Sequence, residues 1–218
     1  MQRQSNGGER PEDANRINNL YWQPSDTLTA DPMTPTRCSW ANMANPRYIE
    51  YHDAEWGVPC HDETRLFEML NLEGAQAGLS WETIVNKRET YRAAFDQWDA
   101  EKIAAYDADK VASLLANAGI VRNRLKVAAA ISNAQAYLRL RAEGGSLDQF
   151  LWAYVDSQPI VNGASPRPAK TGLSDRISKD LAKRGFKFVG STIIYAYMQG
   201  IGMVNDHDPA CFRHAAVR

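Results

Sequence analysis

The apolar positions of this chain recur mostly at three- and four-residue spacing from residue 37 onward, and the pattern predicts a run of helices. Asp62 stands before Glu63 to Asn71, where Leu66, Phe67, Met69 and Leu70 make an apolar face. Ser80 is placed to cap a helix from Trp81 through Lys87, with Thr83 and Ile84 inside it. Asp99 can cap a short helix through Ala105, and Asp107 or Asp109 another that carries Val111, Leu114 and Leu115. Asn117-Ala118-Gly119 ends that helix, with Gly119 suited to a left-handed cap. Asn123 through Leu140 reads as one long helix, and Leu147 to Val155 as a short aromatic one. Gln158 to Thr171 is a proline-rich loop, Ser174 caps Asp175 to Arg184, and Gly190 to Ile201 is an apolar closing helix. Neither alternating strand segments nor repeats are visible, so the predicted class is all-α. Residues 1 to about 36 are polar, lack periodicity and read as a disordered leader in which Tyr21 and Trp22 stand out. The folded part is expected to span 37–218.

Composition narrows the class. Of 218 residues, 44% are hydrophobic and 23% charged, enough for one or two domains with a real core. The wholly apolar runs, such as Val127 to Ile131 and Ile193 to Met198, are far shorter than a membrane span. With no secretory pattern at the N-terminus, the reading is a soluble, cytoplasmic protein, with a monomer as the default. Net charge is −1, which by itself announces no nucleic-acid binding. Its distribution says more. Val111 to Arg141 holds Arg122, Arg124, Lys126, Arg139 and Arg141 without an acid, and Arg167 to Lys187 is a second basic stretch. Glu50 to Asp109 leans acidic. A segregated positive face is what phosphate contacts require, although a solvated helix face would look the same.

Two sets of residues carry candidate chemistry. Cys38 and His52 lie near the start of the folded part, and His207 and Cys211 near its end. Two Cys and two His suit a closed tetrahedral zinc site. Spacing leaves the alternative of unrelated core cysteines and surface histidines open, and Cys60, His61 and His214 compete for the same role. Glu73 is the second feature. It sits in an otherwise small and apolar string, where an unpaired carboxylate is costly and therefore informative.

Several strings in order resemble the 3-methyladenine DNA glycosylase I family. They include Arg37-Cys38-Ser39-Trp40, the stretch from Tyr48-Ile49-Glu50-Tyr51-His52 to Glu55-Trp56-Gly57-Val58-Pro59, and Leu72-Glu73-Gly74-Ala75-Gln76-Ala77-Gly78-Leu79-Ser80-Trp81. Ala118-Gly119-Ile120-Val121-Arg122-Asn123 and Lys183-Arg184-Gly185-Phe186-Lys187-Phe188-Val189-Gly190, running to Asn205-Asp206-His207, complete the set. The resemblance implies a helix-hairpin-helix DNA glycosylase fold, with the motif at about 111–140. It also implies a zinc module built from 37–60 and 200–214, with Cys38, His52, His207 and Cys211 holding one structural Zn2+. The implied reaction is hydrolysis of the N-glycosidic bond of 3-methyladenine in double-stranded DNA, by base flipping and without lyase activity. Glu73 is the implied catalytic group. Trp81, Tyr48 and Tyr51 would line the base slot, with Trp40 and Trp56 beside them. Leu79 would enter the base stack, and Gly119, Arg122 and Arg124 would meet the DNA backbone. Two rivals remain at this stage. One is a non-catalytic DNA-binding module of the same fold. The other is a zinc metalloenzyme, which would need an open coordination position.

Overall fold

The computed structural model describes residues 35–162 and 166–217, so the leader expected over residues 1 to about 36 lies almost entirely outside the described residues. The described residues are mostly helical, as expected. Ten α-helices run in order: α1 (Pro46–Ala54), α2 (Glu63–Gln76), α3 (Trp81–Ala94), α4 (Ala100–Ala104), α5 (Ala108–Ala116), α6 (Arg124–Ala142), α7 (Leu147–Trp152), α8 (Gly172–Lys183), α9 (Ser191–Gly200) and α10 (Phe212–Ala216). Most start on a side-chain cap of the expected kind. Asp62, Ser80, Asp99, Asp107 and Asn123 each accept a backbone N–H from the first turn that follows.

α2 is the central element. Every residue from Leu66 to Ala75 is buried, and the helix packs against α3, α6, α7 and α9. A helix apolar on all sides belongs inside a bundle, and the two acids in this stretch, Glu68 and Glu73, must each find a solution there. Glu68 finds it in arginine. Arg88 Nε donates to its Oε1 at 3.0 Å and Arg92 Nε at 2.7 Å, while Arg88 Nη1 also reaches Glu55 at 2.6 Å. This buried network ties the end of α1 to α2 and α3. Removing one partner would strand a buried charge.

Several expectations need correction. Ser174 is not the cap of α8; Thr171 is, and Ser174 sits three residues later as its reciprocal partner in a capping box. Gly119 is not left-handed, since it is absent from the positive-φ residues. A Cβ built on it would lie 2.0 Å from Thr90 Cγ2, so the glycine is there to let the turn approach α3. Two short strands do occur, β1 (Ile160–Val161) and β2 (Val204–Asn205), paired in parallel across the long loop. The pattern of apolar positions did not predict α1, although Asn45 caps it and Pro46 opens it.

The two ends of the described chain meet. Phe212 N–H donates to Thr36 O at 2.9 Å, Ser39 N–H to Asp208 Oδ2 at 2.8 Å, and Cys60 N–H to Ile201 O at 3.0 Å. Gly202 sits in this seam at φ +75°, where an added Cβ would lie 2.2 Å from the Val58 carbonyl carbon. Both the backbone sign and the space demand glycine, so Gly202→Ala is expected to cost about 2–4 kcal/mol, read as a fall in Tm. An unchanged Tm would mean that the 57–60 strap moves freely, and the seam would then contribute little.

Candidate active site and metal-ligand cluster

A cavity of about 270 Å³ opens between α1, α2, α3 and α9, lined by Trp40, Tyr48, Tyr51, Trp56, Glu73, Gln76, Trp81, Arg167, Ala196 and Gln199. Its volume suits one small heterocycle. Six of these residues were expected from sequence, and the fold brings all six together: Trp40, Tyr48, Tyr51, Trp56, Glu73 and Trp81. Tyr48 and Tyr51 stand three apart on α1, on one face. Trp81 is the first residue of α3, placed by the Ser80 cap. Its ring lies 5.4 Å from that of Tyr51 at a 56° tilt. Trp40 meets Tyr48 edge-on at 5.4 Å and Trp56 at 4.8 Å. The walls are thus aromatic on several sides, and the indole N–H groups of Trp40 and Trp81 have no partner among the described residues.

Glu73 lies on α2, 3% exposed, and makes no hydrogen bond or ion pair among the described residues. Burial alone pushes its carboxyl up to about 8. Glu68, five residues earlier on the same helix, is held below the usual carboxylate range by Arg88 and Arg92 against the opposing effect of burial. One helix therefore carries two buried acids in opposite states: one neutralised by arginines, one left waiting in a cavity. That contrast makes Glu73 a candidate binding group. Gly200 on α9 leaves it room. A Cβ there would sit 2.8 Å from Met69 Cε, 3.3 Å from Tyr51 Oη and 3.5 Å from Glu73 Oε1.

Four lining residues were not expected: Gln76, Arg167, Ala196 and Gln199. Arg167 was read merely as one cation of a basic stretch. Here its Nε donates to Asp206 O at 2.7 Å, its Nη2 pairs with Asp208, and its guanidinium lies 5.7 Å from the centre of the Trp56 ring. Gln199 Nε2 donates to the buried Asp206 carboxylate at 2.6 Å, beside Tyr195 Oη at 2.7 Å. No local pattern could have revealed the role of Arg167, because its partners Asp206 and Asp208 lie on another segment.

Behind the aromatic wall stand Cys38, His52, His207 and Cys211, all buried, with their ligand atoms within 4.8 Å of one another. Cys38 Sγ lies 3.4 Å from His207 Nδ1, and Cys211 Sγ lies 3.5 Å from both His207 Nδ1 and His52 Nε2. A tetrahedral ion with ordinary zinc–sulfur and zinc–nitrogen bonds sets such edges at about 3.6 Å. The outward nitrogens are also held: His52 Nδ1 donates to Asp53 at 2.7 Å and His207 Nε2 to Trp56 O at 2.9 Å. Backbone N–H groups of Asp208 and Arg213 point at the two sulfurs, at 3.2 and 3.5 Å. Burial holds the Cys38 thiol up to about 12 and His207 down to about 4. By donor type, spacing and outer partners, the four residues fit a metal ion. Cys60, His61 and His214 do not join them; His61 instead pairs with Asp148 on the surface.

The remaining expected residues lie elsewhere. Leu79 is 39% exposed, on the turn between α2 and α3. Arg122 and Arg124 are exposed in the α5–α6 hairpin and form no ion pair among the described residues. The Gly119 N–H is taken by Asn117 Oδ1 at 2.8 Å, and the Val121 N–H by Tyr91 Oη at 3.0 Å. The second basic stretch is partly neutralised, since Arg184 pairs with Glu143 and Lys183 with Asp180.

A family profile described as methyladenine glycosylase matches residues 40–214. The chain belongs to this family. It is 51% identical over 178 residues to DNA-3-methyladenine glycosylase 1 of Escherichia coli strain K12, covering 80% of this chain and 95% of that protein. It is 46% identical over 179 residues to the DNA-3-methyladenine glycosylase of Haemophilus influenzae, covering 81% and 96%. The fold matches the Staphylococcus aureus 3-methyladenine DNA glycosylase I, solved to explain 3-methyladenine recognition, at TM-score 0.77 and 35% identity over 81% of this chain and 95% of that one. No helix among the described residues is long and apolar enough to cross a membrane.

Proposed function

We propose that this methyladenine glycosylase family member is a monofunctional DNA-repair glycosylase that releases 3-methyladenine from alkylated double-stranded DNA. The observation that carries the reading is Glu73, a buried acid without a partner among the described residues, facing an aromatic cavity the size of one base. Methylation at N3 leaves adenine cationic in DNA and weakens its bond to the sugar. The C1′–N9 bond breaks with its electron pair going to the base, which departs neutral, and water adds to C1′ and loses a proton to solvent. Strong acid catalysis is therefore unnecessary. The protein's work is to extrude the nucleotide, recognise the charge and hold the pieces.

Trp81 and the tyrosines stack against the electron-poor ring, and Glu73 accepts from its edge. Ionising Glu73 in that cavity is costly, and a cationic base offsets the cost where neutral adenine does not. Selectivity for the lesion thus follows from desolvation. Leu79, outside the cavity on its exposed turn, fills the gap that the flipped base leaves. The α5–α6 unit acts as a helix-hairpin-helix. With the Gly119 amide occupied, Arg122 and Arg124 and the start of α6 are left to meet a phosphate. Asn123, the side chain that caps α6, stands roughly where bifunctional relatives of this fold class carry a lysine, so no strand cleavage is expected. Cys38, His52, His207 and Cys211 would hold one zinc ion, whose contribution is to tie the scaffold.

The test is incubation of the purified protein with methylated duplex DNA and identification of what is released. Free 3-methyladenine with intact strands is expected. DNA binding without base release would assign the chain to the non-catalytic alternative. Trp81→Ala is expected to weaken capture of the free base by about tenfold, in line with one lost stacking partner, while leaving affinity for undamaged duplex unchanged. Equal losses in fluorescence titrations of both would make Trp81 structural.

A further inference from the structure

Lys126 occupies the third position of α6, in the first turn after the hairpin. Its Nζ donates to Ala75 O at 2.7 Å and to Ala77 O at 2.7 Å, and it forms no ion pair among the described residues. These two carbonyls belong to the end of α2 and the turn that follows it. That turn is short and closely defined. Gly78 sits at φ +79°, Leu79 N–H donates to Gln76 O at 2.7 Å, and Gln76 Nε2 donates back to Leu79 O at 3.0 Å. It carries Leu79 on its outer side and leads through Ser80 into Trp81. The hairpin is tied to α3 by separate bonds, from Lys87 Nζ to Ala118 O at 2.8 Å and from Val121 N–H to Tyr91 Oη. Lys126 is thus the side chain that joins the start of α6 to the Leu79 turn. Its ammonium is partly desolvated, which lowers its pKa, and its charge is met by carbonyl dipoles instead of a carboxylate.

Resting on the function proposed above, we propose that Lys126 is a positioning residue for nucleotide extrusion. It fixes the Leu79 turn to the helix end that meets the DNA backbone, so that phosphate docking sets the depth at which Leu79 enters the stack. A lysine that merely closed the end of α2 would add stability and affect every substrate alike. A positioning strut predicts a different pattern, because its loss matters in proportion to the work of opening the base pair.

The experiment compares Lys126→Met with the unmodified protein in single-turnover release of 3-methyladenine from methylated duplexes that contain one adenine. That adenine is placed opposite thymine in one duplex and opposite an abasic site in the other, where unpairing costs little. Binding of free 3-methyladenine, followed by tryptophan fluorescence, reports on the cavity. The expected result is a loss of about 10–100-fold opposite thymine, the scale of a small misplacement far from the chemistry. Opposite the abasic site and for the free base, changes stay within about twofold. Leu79→Ala is expected to give the same pattern, and the double variant no further loss, since the two act as one device. Equal losses on both duplexes, or additive losses in the double variant, would overturn the proposal. If Lys126→Met does not fold, Lys126→Gln, which keeps one donor, is read by the same ratio. Failure of the unmodified protein to release base from either duplex would instead remove the function on which this rests.

Discussion

Replacing Glu73 by glutamine is expected to lower kcat/KM for release of 3-methyladenine by about 10²–10³-fold while making the protein more stable. The amide keeps an acceptor for the base edge but loses the charge that answers a cation in a low-dielectric cavity, and losses of that size follow removal of one preorganised electrostatic contact. The stability effect has the opposite sign. In the folded protein the carboxyl titrates at about 8, above its ordinary value of 4.5. Between those values the unfolded chain is ionised and the folded one keeps its proton, so the unfolded state binds fewer protons and stability falls as pH rises. That loss approaches about 1.4 kcal/mol per pH unit across the window. Glutamine has no such dependence, so the Tm advantage of Glu73→Gln should widen from pH 5 to pH 8. In the unmodified enzyme kcat/KM should rise through pH 8 as the free carboxyl ionises. The limb in kcat should lie lower, because the bound cationic base favours the charged form. A flat Tm difference together with full activity would remove Glu73 from the site.

The second large effect concerns the metal-ligand cluster. Structural zinc in small domains contributes about 10–16 kcal/mol, comparable with or larger than the whole stability of a domain. Cys38→Ala and Cys211→Ala should therefore each bind less than one zinc ion per chain by elemental analysis and lose the cooperative thermal transition. A strong chelator should reproduce both effects in the unmodified protein. Cys60→Ala is the control. That thiol stands outside the cluster, and its substitution should leave zinc content unchanged. Full stability in the absence of any metal would show that the aromatic packing of Trp40 and Trp56 on His52 and His207 suffices.

Much of this was legible in the sequence, and the reasons differ by residue. Glu73 could be read because an acid in an otherwise small and apolar string violates a local rule, and such violations concentrate at sites. The caps Asp62, Ser80 and Asp99 could be read because capping is a matter of a few neighbouring atoms. α1 escaped the periodic pattern because its large residues serve a cavity and a metal-ligand cluster instead of a core face. Tyr48 and Tyr51 point to the former and His52 to the latter. Arg167 and Gln199 were hidden for another reason. Each is defined by Asp206 or its neighbour Asp208, and for Arg167 that partner lies about forty positions along the chain. A charge run reads as solvent-facing until the fold supplies its counterions. The metal-ligand cluster falls between these cases: the residue types suggested the grouping, but only the family resemblance set it above the alternative of unrelated cysteines and histidines.

Trp56 links the two centres, with its ring in the cavity wall and its carbonyl on His207. Because His207 lies 151 positions after Trp56, one wall of the slot is held by a distant part of the chain, and a defect in the cluster would reach the pocket through this one ring.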